Sequence, residues 1–189
     1  MSVRLRMVND ADLDQVFEWE RDPGAVAMAA FTRADPSDRA AFDRHCERIR
    51  NDSDCTLLAI DDDDGAFAGT IGSFTMEGER EVTYWIDPSR WGRGLASAAL
   101  DAFARIELAR PLFARVAEHN IGSAKVLTRA GFVQVGSETA HADGVGRDVV
   151  EHIYRLDEKS SRASSDQPIP GQRQASGNAS TGASVRPVR

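Results

Sequence analysis

Three stretches of the sequence carry residue types that could do chemistry. In Gly92-Arg93-Gly94, two glycines flank an arginine just ahead of a helical pattern. Glycine has no Cβ, so backbone N–H groups can close on an anion there, and the positive end of the following helix adds a favourable potential. That suits phosphate or pyrophosphate binding. The dinucleotide fingerprint GxGxxG would need Gly or Ala at position 97, where Ser97 stands, and no Walker lysine is present. The run Asp61-Asp62-Asp63-Asp64-Gly65 could draw a cation, but it lacks the spaced oxygen ligands of a calcium loop and is expected to be a solvated turn. Cys46 and Cys55 have neither CxxC nor paired-histidine spacing around them, so no metal is implied; both are expected to be small buried hydrophobes.

The elements that must position these groups follow from periodicity. Val3 to Val8 alternates with period two, as a strand does. Asn9-Asp10 offers a cap for a helix reaching about Glu20, and Asp35-Pro36 starts a second, with Pro36 at its first position and Phe42, Cys46 and Ile49 on one face. Strands are expected over Cys55–Ile60, Ala66–Phe74 and Glu81–Ile86, the last two joined by a turn at Glu77-Gly78-Glu79. Residues 92–108 form the strongest helical pattern, with Leu95, Ala99, Phe103 and Ile106 along one stripe. A strand at Leu112–Ala117 leads to a helix capped by Asn120 and ended by Gly131, and two last strands, Phe132–Ser137 and Val149–Leu156, flank a turn at Asp143-Gly144. The order β-α-α-β-β-β-α-β-α-β-β predicts an α/β fold, a mixed sheet with helices packed on its faces.

Composition narrows the partners. The 189 residues carry a net charge of −7. Residues 160–189 hold four arginines against Asp166, a net of +3 that leaves −10 on the remainder. An acidic domain repels nucleic-acid phosphates and attracts amines, so nucleic acid is not an expected partner. No apolar run is long enough to span a membrane, and the start of the chain has no signal-peptide core, so a cytoplasmic location is expected. The chain divides into a domain over residues 1–157 and a low-complexity, basic tail over 158–189, whose Ser, Gly, Gln and Pro cannot offset ordering entropy by burial.

Several motifs in one order carry a family resemblance: Tyr84-Trp85-Ile86-Asp87-Pro88, Trp91-Gly92-Arg93-Gly94-Leu95-Ala96, Asn120-Ile121-Gly122-Ser123-Ala124-Lys125-Val126-Leu127, and Gly131-Phe132. Over residues 3–156 the chain resembles the GNAT superfamily of N-acetyltransferases, and within it the RimJ/RimL-like branch. The resemblance implies a fold whose fourth and fifth strands splay apart, with acetyl-CoA as cosubstrate lying between them like an extra strand. It also implies that Trp91, Gly92, Arg93, Gly94, Leu95 and Ala96 hold the pyrophosphate, with Asn120 at the cofactor site. Backbone groups of Trp85, Ile86 and Asp87 would pair with the pantetheine arm, and the N–H of Trp85 or Ile86 would face the thioester carbonyl. The acceptor would be a primary amine, of a protein N-terminus or a small molecule, and the enzyme a monomer or homodimer with no metal.

By the same resemblance Glu81 matches the base glutamate of some members; His119, beside Asn120 at the end of the fifth strand, is the competing base. Many members carry an acid tyrosine where Leu127 stands; Ser123, on the same helix, is the expected substitute. Trp19, Phe31, Tyr84 and Trp85 are candidates for the acceptor side. The alternative from another class is a catalytically silent acyl-CoA sensor using the same cleft.

Overall fold

The computed structural model describes residues 2–158; the tail beyond Glu158 lies outside the described residues. The alternating start forms β1 (Arg4–Met7). Asn9 then caps α1 (Asp10–Trp19) reciprocally: its side chain accepts from the Asp12 N–H, and the Asp12 carboxylate accepts from the Asn9 N–H, both at 2.9 Å. A short helix not expected from the sequence, α2 (Pro23–Ala29), follows. Seven residues are too few to display an apolar stripe, although Asp22 as cap and Pro23 in the first turn were its signals. Helix α3 (Arg39–Asn51) begins later than expected, because Asp38 rather than Asp35 caps it, and Pro36 sits in the turn before.

The strands β2 (Thr56–Asp61), β3 (Phe67–Met76) and β4 (Glu79–Ile86) form a meander. The β3–β4 turn places both Glu77 and Gly78 at positive φ, 53° and 84°. A single 3₁₀ turn (Pro88–Arg90) then leads to α4 (Leu95–Phe103), β5 (Leu112–Ala117), α5 (Ile121–Arg129), β6 (Val133–Ala142) and β7 (Arg147–Leu156). Helix α4 is shorter than its pattern: Leu95, Ala99 and Phe103 are buried as expected, but Ile106 lies past the helix and is exposed. The β6–β7 hairpin is longer at its tip than the sequence suggests, because its outer residues do not alternate in hydrophobicity.

One sheet results, in the order β1-β2-β3-β4-β5-β7-β6, antiparallel except where β4 meets β5. The main core lies on one face beneath α4 and α5, where Ile71, Leu100, Phe103, Leu112 and Leu127 are almost fully buried. On the other face α1 and α3 enclose Leu13, Val16, Phe17, Phe42 and Cys46, and a small cluster joins Ala30 to Ala117, Ala142 and Val149. Helices therefore cover both faces, as expected.

Two expectations are corrected. The acidic run is not simply solvated: Asp61 is buried and paired with Arg4 and Arg6, and Asp62 is buried and paired with Arg90. Cys46 is buried, but Cys55 is only half-buried. No helix is long and apolar enough to cross a membrane among the described residues.

Candidate active site

Strands β4 and β5 pair only at Arg80↔Leu112 and Glu81↔Phe113; past Glu81 they diverge. A cleft with a cavity volume of about 80 Å³ opens there. Its lining divides between the two faces of the sheet. Val82, Tyr84 and Ile86 of β4 turn toward the core under α4 and α5, so Glu81, Thr83 and Trp85 turn to the opposite face.

The backbone of β4 alternates in the same way. The Asp87 N–H donates to the Ala68 carbonyl across β3, and Trp85 stands opposite Thr70 in the register. The Asp87 N–H and the polar groups of Trp85 are thus spent on β3, the Asp87 carbonyl accepts from the Arg90 N–H at 2.9 Å, and the N–H groups of Tyr84 and Ile86 face the open edge. This pairing does not fit the expectation that Trp85 and Asp87 offer backbone groups to a ligand; of the three residues named, only Ile86 has its N–H on the open edge, beside that of Tyr84. The Ile86 carbonyl also accepts the indole N–H of half-exposed Trp91 at 2.9 Å, which pins the glycine loop to the end of β4.

The loop itself follows from the open end of β4. Asp87 accepts from the Ser89 N–H and pairs with Arg90, which also pairs with Asp62. Gly92 and Gly94 have φ of 76° and 83°, a left-handed conformation that side chains oppose, and a Cβ added at either would meet no protein atom within 4 Å. Asn9, Asp22, Asp38 and Asn120 each cap a helix with a side-chain oxygen, whereas α4 begins at Gly94 with no side-chain cap. Its first-turn N–H groups at Leu95 and Ala96 are donors suited to an anion. Arg93 beside them is exposed. These residues fit a pyrophosphate. At the start of α5, Asn120 Oδ1 accepts the Ser123 N–H at 3.0 Å, and the Ser123 hydroxyl shares a 2.6 Å hydrogen bond with the Tyr84 hydroxyl. Leu127, one turn further, is fully buried in the core.

On the opposite face the floor is ionic. Glu81, buried, accepts from Arg115 Nε at 3.0 Å; Arg115 also pairs with Glu138 and lies 3.8 Å from buried Glu151. Burial alone would lower the Arg115 guanidinium, but the surrounding carboxylates, Glu81 first, hold it above its ordinary value. Glu81 is therefore not a strand-end surface charge: it lies within β4 and lines the cleft. Removing one partner of such a buried pair costs about 3–5 kcal/mol.

The wall above this floor is aromatic. Phe31, Phe74 and Trp85 line the cleft. Phe31 is delivered by an unusual backbone: Ala30, buried, has φ 62° and ψ −52°, and the Phe31 N–H donates to the Ala29 carbonyl at 2.7 Å across it. This is a γ-turn of the rare positive-φ kind, worth about 1–3 kcal/mol of strain. It is clamped from two sides. His119 Nε2 lies 2.7 Å from the Ala27 carbonyl, and Gly144 of the β6–β7 turn sits so close that an added Cβ would lie 2.1 Å from Thr32 Oγ1 and 2.8 Å from the Ala30 carbonyl.

The structure thus brings together Glu81, Trp85, Tyr84, Asn120 and Ser123 around one cleft, with Trp91–Ala96 following from its open end. It does not bring His119 in: that ring is exposed and braces α2. Trp19 stacks on Phe67 at 5.1 Å in the α1–α3 core, and Tyr84 faces the α5 side rather than the acceptor side. Sequence reasoning missed Arg115, Glu138 and Glu151; strand alternation in β5 and β7 could have put Arg115 and Glu151 on one face, but only the strand order β5-β7-β6 makes them neighbours. Among the described residues, no group of three or more His, Cys, Asp or Glu is placed to hold a metal ion.

The profile of the acetyltransferase (GNAT) domain matches residues 2–133. The chain belongs to the GNAT acetyltransferase family. GNAT chemistry is acyl transfer with acetyl-CoA as acetyl donor, so this family member is an acetyl-CoA-dependent acyltransferase. Its solved structural relatives include a provisionally assigned phosphinothricin N-acetyltransferase, 25% identical, with TM-score 0.67 over 82% of this chain and 98% of that chain. The spermidine N-acetyltransferase from Vibrio cholerae, in complex with CoA and spermine, is 18% identical with TM-score 0.68, covering 84% of this chain and 97% of that one. AAC(6')-Ib in complex with ribostamycin and coenzyme A is 16% identical with TM-score 0.66, covering 87% and 100%. The last two likenesses concern the fold. A search of curated proteins finds no match to this chain.

Proposed function

We propose that this GNAT member acetylates a primary amine by direct attack on acetyl-CoA within a ternary complex. The observation that carries the reading is the divergence of β4 from β5 past Glu81, followed from its open end by a helix that begins without a side-chain cap. The backbone of Gly92 to Ala96 holds the pyrophosphate, with Trp91 fastening the loop and Arg93 adding charge. Tyr84 and Ile86 offer backbone groups to the pantetheine arm, and one of their N–H groups stabilises the thioester oxygen, an effect of roughly 3–4 kcal/mol in such sites.

An ammonium has no lone pair, so the acceptor must lose a proton. Glu81 takes it, directly or through a water, for a contribution of about 10²–10⁴-fold. Arg115 holds that carboxylate in place. Ser123 meets the leaving sulfur in place of the tyrosine that Leu127 replaces. The resemblance to the RimJ/RimL branch favours a protein N-terminus as acceptor in a cytoplasmic monomer or homodimer. The spermine and ribostamycin held by its structural relatives make a small-molecule amine the competing class. Residues 1–157 suffice for the reaction, and the basic tail from 158 is outside it.

The test is a panel of free-N-terminal peptides, spermine and an aminoglycoside, scored for thiol release from acetyl-CoA and for acetyl mass gained by the amine. Matched release and gain on one class establishes the reaction and its acceptor. Tight acetyl-CoA binding without thiol release on any member would replace the reading with that of a sensor.

A further inference from the structure

The Tyr84 hydroxyl lies 2.6 Å from Ser123 Oγ, bridging β4 to the first turn of α5 beside the cleft. Its other neighbour, the Ser123 carbonyl, stands at 3.5 Å, the outer limit of a hydrogen bond, so the hydroxyl is the partner that matters. A phenol is a better donor and a poorer acceptor than an aliphatic alcohol. The Tyr84 O–H therefore donates to Ser123 Oγ, leaving the Ser123 proton to point elsewhere. The Ser123 N–H is already held by Asn120, which fixes the serine backbone. Ser123 lines the cleft, so with Oγ receiving from Tyr84 its own proton is free to turn toward a group bound there.

We propose that Tyr84 is a positioning residue: it aims the Ser123 hydroxyl at the sulfur that leaves when the thioester is cleaved. This rests on the acetyltransferase reading above. As the amine nitrogen bonds to the acetyl carbon, the C–S bond breaks and its electron pair stays on sulfur. The Ser123 O–H donates a hydrogen bond to that thiolate without giving up its proton, and the thiolate is protonated from solvent on release. Burial pushes the Tyr84 phenol up to about 12, the Ser123 bond acting the other way, so the phenol keeps its proton and remains a donor throughout the neutral range. The arrangement replaces one tyrosine on α5, absent because Leu127 is core, with a tyrosine on β4 acting through a serine.

The experiment needs no acceptor. Coenzyme A itself is bound to the protein, and the acid constant of its thiol is read from thiolate ultraviolet absorbance, with affinity measured separately by calorimetry. The wild-type protein should make the bound thiol more acidic than free coenzyme A. Ser123→Ala should abolish the part due to the serine, and Tyr84→Phe should weaken the thiol's acid constant by about tenfold at little cost in affinity. Tyr84→Phe added to Ser123→Ala should change nothing further, because the two act as a unit. Should Tyr84→Phe fail to fold, replacing both tyrosines of the chain by meta-fluorotyrosine tests the same point: a stronger phenol donor should make the thiol more acidic still. Equal thiol acidity in wild type and Tyr84→Phe, or no response to the fluorinated phenol, overturns the role of Tyr84 alone. Failure of the wild-type protein to bind coenzyme A overturns the acetyltransferase reading along with it.

Discussion

On the side of the cleft assigned to the coenzyme, the working groups lie between Tyr84 and Ser123, with the anion-binding part compressed into Trp91 to Ala96. On the side assigned to the acceptor, Phe31, Glu81, Arg115, Glu138 and Glu151 arrive from the segment after α2 and from β4, β5, β6 and β7. Apart from the Tyr84–Ser123 hydroxyl pair and the Trp91 indole, the first side is backbone: two left-handed glycines, an uncapped helix start and the edge of β4 past Glu81. The second is side chain: an arginine among carboxylates under an aromatic wall held by a strained turn. A ligand of constant shape can be met by local backbone geometry, which a short motif encodes. A particular acceptor must be recognised by side chains that only tertiary structure assembles.

Breaking the acceptor side at its centre should have the largest effect. Glu81→Gln should lower kcat by about 10²–10³-fold at neutral pH with acetyl-CoA affinity nearly unchanged, since the amide keeps its shape but cannot accept the proton, and it should also lower Tm, because it removes the charge that pairs with buried Arg115. The variant should recover as pH rises, because the amine then loses its proton unaided. His119→Ala, which only removes a brace on α2, should leave kcat within a few-fold; steady-state pH profiles of both variants check this, and a crippled His119→Ala beside an active Glu81→Gln would exchange the roles.

Next in size is the wall. Phe31→Ala should raise the acceptor KM by about tenfold, the value of roughly 1–3 kcal/mol for one apolar contact at a specificity site, while the acetyl-CoA KM stays put. Equal changes in both KM values would erase the distinction between the two sides. Gly144→Val should press on Thr32 and the Ala30 carbonyl. Overpacking of about 1–3 kcal/mol should lower Tm by several degrees and impair acceptor binding before coenzyme binding, as calorimetry would show. The smallest effect expected is none: truncation after Lys159 should leave Tm and turnover as they are, and a large loss of either would show that the tail takes part.

The same contrast explains what was legible in the sequence. The strands up to β5, the α1 and α5 caps and the Gly92–Gly94 loop follow from local chemistry and appear close to where expected, whereas β6 runs on to Ala142. Helix α2 escaped because seven residues show no periodicity, and Ile106 misled because apolar spacing ran on past the end of α4. Glu81 was legible only through resemblance; its pairing with Arg115 depends on β5 lying beside β4, and the approach of Glu138 and Glu151 on β7 inserting between β5 and β6, which no local pattern announces. Tyr84 stood only among the candidates for the acceptor side, because the face a strand residue takes depends on register and a shift of one reverses it; its hydroxyl meets Ser123 on the α5 side.

The central claim, that acetyl-CoA enters between β4 and β5 and is anchored by the Trp91–Ala96 backbone, is tested most directly by melting temperature against acetyl-CoA concentration in wild type and Gly94→Val. A ligand that binds only the folded state stabilises it by about 2.7 kcal/mol at a hundred times its Kd. Wild-type Tm should therefore climb steadily with acetyl-CoA. Gly94→Val, whose Cβ meets no protein atom but stands where the anion would approach, should start somewhat lower, from the cost of a branched residue at φ 83°, and lose most of the climb. A climb in the variant equal to that of the wild type, or none in either, would contradict the account.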